Sequence, residues 1–150
     1  MIKTIKNEII SFPAYRYRKL TDLLQFCKEP KEIDVVLKSI EALCEVFCDI
    51  LPSYRIRQYD DAGEESKSTV KVSKEVEALR TQEQYILNSY KDYLQILEVF
   101  SKLKVGKLAK GSSDKDKSST YYERLRSKSV ICFSALLDRH PHFNYRLNIL

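Results

Sequence analysis

The sequence predicts an all-α fold, antiparallel helix pairs forming a HEAT-like or α-solenoid segment with one long helix, on three observations. Apolar residues recur at the i, i+3, i+4, i+7 spacing over most of the chain. Only 3 Gly and 4 Pro interrupt 150 residues that are 43% hydrophobic and 31% charged, which excludes collagen-like and low-complexity classes. Consecutive periodic stretches are joined by links so short that the two helices must fold back on each other to bury their apolar faces. The length is that of one ordinary domain and suffices to bury roughly 70% of the unfolded chain's surface.

Residues 1–15 read as an N-terminal extension. From Arg16 a first helix carries Leu20, Leu23, Leu24 and Cys27 on one face, until Pro30 interrupts it. Pro30 suits the first turn of the next helix, with Glu29, Glu32 and Asp34 near its positive end. That helix presents Ile33, Val36, Leu37, Ile40, Leu43, Cys44, Phe47 and Leu51 in one wide stripe, and Pro52 stops it. Residues 53–69 read as a loop, acidic at Asp60, Asp61, Glu64 and Glu65. The longest helix is expected from about Val70 to Lys104, with Ser73 as its N-cap and Glu75 and Glu77 in its first turn. Val72, Leu79, Ile86, Tyr93 and Phe100 form one line at sevens; Val76, Glu83, Tyr90, Leu97 and Lys104 form an interleaved line broken by Glu83 and Lys104. Leu87 and Leu94 widen the stripe, which favours packing across several helices over a two-stranded coiled coil. A helix of about 50 Å is expected.

These stretches make residues 16–105 one helical domain. Residues 106–119, Gly- and Ser-rich and basic, read as a flexible linker. Thr120 followed by Glu123 has the form of a capping box opening another helix, which should end near Arg139 because Pro141 follows. Tyr121, Leu125, Cys132 and Leu136 lie on one side of it, with Val130, Phe133 and Leu137 beside them. Residues 120–150 are thus expected to start further helical repeats, the last begun at Phe143 and unfinished at Leu150.

Chemistry-bearing motifs are sparse. No phosphate-cradling glycine loop is present, and no stretch approaches the 18 apolar residues of a membrane span. The N-terminus lacks the apolar run and cleavage site of a signal peptide, so an intracellular chain is expected. Cys27, Cys44, Cys48 and Cys132 form no CxxC pair and are expected as thiols packed in the core rather than metal ligands. His140 and His142 flank Pro141 and are expected as exposed loop residues. No catalytic residue, metal, cofactor or small-molecule substrate is indicated, so the protein is expected not to be an enzyme.

Charge is the stronger signal. The net charge is +5, but residues 1–100 carry 15 basic and 17 acidic side chains and residues 101–150 carry 11 and 4. An end-loaded positive charge favours an acidic partner such as RNA, DNA or an acidic protein. Candidate nucleic-acid contacts are Arg16, Arg18 and Lys19, interleaved with Tyr15 and Tyr17, and Lys107, Lys110, Lys115 and Lys117 in the linker. Tyr54, Arg55, Ile56 and Arg57 sit just past a helix end, where arginines can bond unsatisfied carbonyls or meet a partner.

Specific strings go further. The run ILPSYRIR from Ile50 to Arg57, followed after the loop by VKVSKEVEALRTQEQYIL from Val70 to Leu87, resembles the N-terminal conserved domain of the nucleolar complex-associated protein 3 family, with its IPGYRIR and KVSKEVxxLRxxEQxLL runs. The family's following Tyr-x-x-Tyr-Leu pattern reads Tyr90, Tyr93 and Leu94 here, and its HFNFR reads HFNYR from His142 to Arg146. The likeness covers about residues 16–100 and 130–150. Ser53 stands where the family usually has Gly, and the linker before Val70 is longer and more acidic. The resemblance singles out, as partner or structural motifs, Tyr54, Arg55, Ile56, Arg57, Lys74, Glu75, Arg80, Glu83, Phe143, Asn144, Tyr145 and Arg146. It implies a nuclear, nucleolar helical scaffold, paired with nucleolar complex protein 2 and accompanying large-subunit pre-ribosomal particles and their pre-rRNA. Some members are also implicated in replication initiation, helping load the replicative helicase, with chromatin and replication-licensing proteins as partners.

Overall fold

The computed structural model describes residues 1–28, 32–57, 73–103 and 115–143, with the backbone alone for 115–119. Among these residues every regular element is helical: α1 (Ile2–Ser11), the single turn α2 (Pro13–Arg16), a 3₁₀ turn at Tyr17–Lys19, α3 (Leu20–Lys28), α4 (Ile33–Ile50), α5 (Lys74–Ser101) and α6 (Lys115–Arg139).

The centre is α4. Val36, Ile40, Leu43, Val46 and Phe47 are fully buried, and Ser39 and Ala42 are buried on the sides where a surface helix would be polar. A helix apolar nearly all round must be covered nearly all round. Here α1, α3, α5 and α6 cover it. The Ser39 hydroxyl bonds the Val35 carbonyl at 2.7 Å, so its burial leaves no donor unmet. Ile33, expected on the buried stripe, is exposed at the helix start. Proline ends the helix as anticipated, with Leu51 extended at the C-cap before Pro52.

Residue pairs across the helices give their directions. Thr21 meets Tyr85 and Lys28 meets Asp92, so α3 and α5 run parallel. Tyr93 bonds the Ile40 carbonyl at 2.8 Å and Tyr90 packs edge-on to Phe47, so α4 and α5 are antiparallel. Lys128 reaches Glu41, and the Cys44 thiol reaches the Cys132 carbonyl, so α6 runs parallel to α4. The α3–α4 hairpin follows, with Leu20, Leu23, Leu24 and Cys27 of α3 all buried.

Three details depart from the sequence reading. Residues 1–15 hold a docked helix whose Ile9 is fully buried and whose Lys6 pairs with Glu45 at 2.5 Å. The last helix begins at Lys115, so Thr120 lies inside α6 and is not its cap. One turn more is gained without Gly or Pro to prevent it. The line of sevens on α5 divides in two: Ile86, Tyr90, Tyr93 and Leu97 are buried, whereas Val76 and Leu79 are exposed because the first two turns extend past the helices that cover the rest. Ser73 is the N-cap, accepting from Val76 N at 3.4 Å.

Candidate functional site

The strings that stood out in the sequence meet in space. After α4 stops, the chain from Ser53 to Arg57 crosses to α5, while the turn after α6 returns to the same place. Tyr54 donates its hydroxyl to Glu83 of α5. Arg55 reaches the other way, its Nε donating to the His142 carbonyl at 3.1 Å. Ile56 is buried in the core. The Arg57 carbonyl accepts from Gln84 Nε2 at 2.5 Å, while the Arg57 side chain is exposed. From the opposite side, Phe143 is buried against Tyr90 with ring centroids 5.4 Å apart. His140 bonds the Cys48 carbonyl at 3.0 Å. A carbonyl only accepts, so His140 carries its proton on Nε2.

The arrangement is a clasp. Cys48 lies in the last turn of α4, where carbonyls lack intrahelical partners, and His140 supplies one. Arg55 does for the turn beyond α6 what it was expected to do at the end of its own neighbouring helix. His140 is half-buried and bonded, contrary to its expected exposure, whereas His142 is exposed. Gln84 and His140 are the contributors that spacing did not identify. Gln84 had no signal beyond lying within the family-like run, and His140 only its position beside Pro141.

The remaining candidates scatter. Lys74, Glu75 and Arg80 lie exposed on the protruding start of α5, beside Val76 and Leu79. Arg16 and Arg18 are exposed at the α1–α3 connection, and Lys19 pairs with Glu8 at 2.5 Å. The Lys19 ammonium, hydrogen-bonded to Glu8, holds that carboxyl below its ordinary value. Lys115 and Lys117 fall in the opening turn of α6. Lys107, Lys110, Asn144, Tyr145 and Arg146 lie outside the described residues.

All four cysteines are thiols; Cys27, Cys44 and Cys132 are buried and Cys48 half-buried. Burial pushes the Cys27 thiol up to about 12. Cys48 is lowered to about 7, first by its hydrogen bond with Cys44 and then by the Arg139 charge, against opposing burial. It borders a cleft of about 540 Å³ lined also by Glu45, Asp49, Ala135, Asp138 and Arg139. Among the described residues no cluster of His, Cys, Asp and Glu is placed to hold a metal ion. No described helix is long and apolar enough to cross a membrane.

The family model of Nucleolar complex-associated protein matches residues 1–93, which hold the Tyr-Arg-Ile-Arg half of the clasp and the α5 run it bonds. The chain belongs to the nucleolar complex-associated protein 3 family. Its relatives carry the match across the other half too. Nucleolar complex-associated protein 3 of Arabidopsis thaliana is 34% identical over 142 residues, 95% of this chain and 14% of that protein. The human nucleolar complex protein 3 homolog is 35% identical over 153 residues, 99% of this chain and 18% of its own length. The Saccharomyces cerevisiae protein is 32% identical over 127 residues, 83% of this chain and 17% of its own. The chain thus spans about a sixth of the length of these relatives, and membership places it in the nucleus and nucleolus.

Proposed function

We propose that this chain is a non-enzymatic scaffold in nucleolar assembly of the large ribosomal subunit, acting with nucleolar complex protein 2 on pre-ribosomal particles. The observation that carries the reading is the match over nearly the whole chain to nucleolar complex proteins of plants, animals and yeast. The described chemistry suits a scaffold: the polar groups of the motif strings bond one another, which holds shape rather than transforming a substrate. Two groups of residues serve partners in this reading. The start of α5, with Lys74, Glu75 and Arg80 around Val76 and Leu79, is the surface for the protein partner. Its two exposed apolar side chains, set among charges on one rigid helix, suit a helix packed alongside. Arg16, Arg18 and the lysines Lys107, Lys110, Lys115 and Lys117 draw the scaffold toward RNA through a salt-sensitive, sequence-blind attraction. In the HEAT-like view, α6 hands the chain on to further helix pairs.

The test is affinity purification of the tagged chain from its own cells, split between RNase and DNase treatment. Recovery of nucleolar complex protein 2 with large-subunit precursor RNA supports the proposal, and a Val76→Glu/Leu79→Glu variant should lose the protein partner while melting as the wild type does. Recovery instead of chromatin and replication-licensing proteins, surviving RNase, overturns it.

A further inference from the structure

The break between α1 and α2 leaves two aromatic rings in water. Phe12 precedes Pro13, which disfavours helical backbone at the residue before it, and Phe12 sits at φ −138° and ψ 63°. The chain turns there, and Phe12 is 62% exposed and Tyr15 84%. The neighbouring Tyr17 shows the alternative: its ring packs edge-on to Tyr85 at 5.1 Å and joins the core.

The charge around the rings is one-sided. Residues 1–19 hold five cationic side chains, Lys3, Lys6, Arg16, Arg18 and Lys19, against a single carboxylate, Glu8. Lys6 is committed to Glu45 and Lys19 to Glu8. Lys3, Arg16 and Arg18 are exposed and form no ion pair with a described carboxylate; Arg18 lies 5.9 Å over the Tyr17 ring. Phe12 borders a shallow depression of about 320 Å³ lined also by Lys3, Thr4, Asn7, Ser11 and the Glu8 carboxylate, whose charge Lys19 meets.

We infer that Phe12 and Tyr15, flanked by Lys3, Arg16 and Arg18, form a stacking site for the bases of single-stranded RNA. Aromatic faces that receive bases, with cations that follow the phosphates, are how sequence-tolerant single-strand binding is built. A duplex keeps its bases stacked on each other and offers the rings nothing. A protein partner is the less favoured occupant, because five cations against one carboxylate in residues 1–19 complement a continuous run of phosphates. The inference rests on the ribosome-assembly reading for its choice of RNA, and adds the site and the strandedness.

The test uses the 150-residue chain and fluorescence anisotropy of a labelled 12-nucleotide single-stranded RNA, with a duplex of the same length as comparison. The wild type should prefer the single strand. Phe12→Ala/Tyr15→Ala should weaken single-strand binding tenfold or more with an unchanged melting temperature, since both rings are largely in water. Phe12→Tyr/Tyr15→Phe, which keeps two rings, should bind within about twofold of wild type. Arg16→Ala/Arg18→Ala should weaken binding and flatten its salt dependence. Wild-type-like affinity in the double-alanine variant, or equal affinity for the duplex, overturns the site while leaving the scaffold reading in place. Loss of a co-purifying protein rather than of RNA binding by that variant also overturns it, in favour of a protein contact. A purification that recovers no pre-ribosomal material, alongside ring-dependent oligonucleotide binding, sinks the scaffold reading and leaves the site standing.

Discussion

At Cys48 the fold separates one thiol from three others. The thiolate is the reactive species, and Cys48 is half-buried, lowered to about 7 and open to a cleft, whereas Cys27, Cys44 and Cys132 are buried. Alkylation of the native chain with iodoacetamide at pH 7.5 should therefore modify Cys48 first and the others only on unfolding, with a rate that reaches half its plateau near pH 7. Mass mapping of the first adduct reads this directly; initial labelling at Cys27 or Cys132 contradicts it. Tyr93 makes a second residue-level case. It is buried, and desolvation raises its hydroxyl well above the ordinary value of 10.0, as it also raises Tyr90. A group raised in the folded state stabilises fully below its unfolded value, and that contribution is lost as pH rises from there toward the folded value. By the same sign the buried Cys27 thiol, raised from 9.0, begins to cost stability above about pH 9, and the tyrosines should make the melting temperature fall more steeply above about 10. Tyr93→Phe should weaken that alkaline fall and cost about 1 kcal/mol at pH 7 by removing the side-chain hydrogen bond to the Ile40 carbonyl.

At the scale of elements, helices whose own composition decides them were legible in the sequence. The α4 stripe, its stop at Pro52 and the Ser73 cap of α5 follow from periodicity, proline and capping chemistry. What spacing does not carry is where a neighbouring helix ends. Leu79 and Ile86 occupy equivalent places on one line of α5, yet Leu79 is 52% exposed and Ile86 is buried, because the covering helices stop between them. The α1 helix escaped notice for a related reason: Ile2, Ile5 and Ile9 keep a helical spacing, but ten residues form a stable helix only once docked, and the surface of α4 is not written in that stretch. Among the candidate site residues, strings revealed which ones matter together without revealing to what they bond. The bond from Arg55 to His142 spans 87 positions of sequence. The division of α5 gives its own prediction. Leu87→Ala, at a fully buried position, should cost roughly 2–5 kcal/mol by opening a cavity. Leu79→Ala should stay within about 0.5 kcal/mol of wild type. Urea unfolding of the two variants distinguishes them, and equal losses contradict the protruding start.

For the molecule as a whole, the clasp ties the connection between α4 and α5 to the turn after α6. The connection after α4, the middle of α5 and the turn after α6 meet through Tyr54, Arg55, Ile56, Gln84, His140 and Phe143. Without it, α6 would still be held to α4 by apolar contacts and by Lys128–Glu41, a half-exposed pair of the kind that contributes little. The motif strings therefore hold these three segments in one arrangement. Arg55→Ala tests that claim most directly, with Arg57→Ala as its comparison, by melting temperature and by recovery of nucleolar complex protein 2 from cells. The clasp predicts that Arg55→Ala lowers the melting temperature by roughly 2–4 °C, for about 1 kcal/mol lost, and that Arg57→Ala, whose carbonyl alone is used, leaves it unchanged. Both variants should still recover the proposed partner below the melting transition. An unchanged melting temperature for Arg55→Ala together with loss of the partner would contradict the account and make the motif a binding surface.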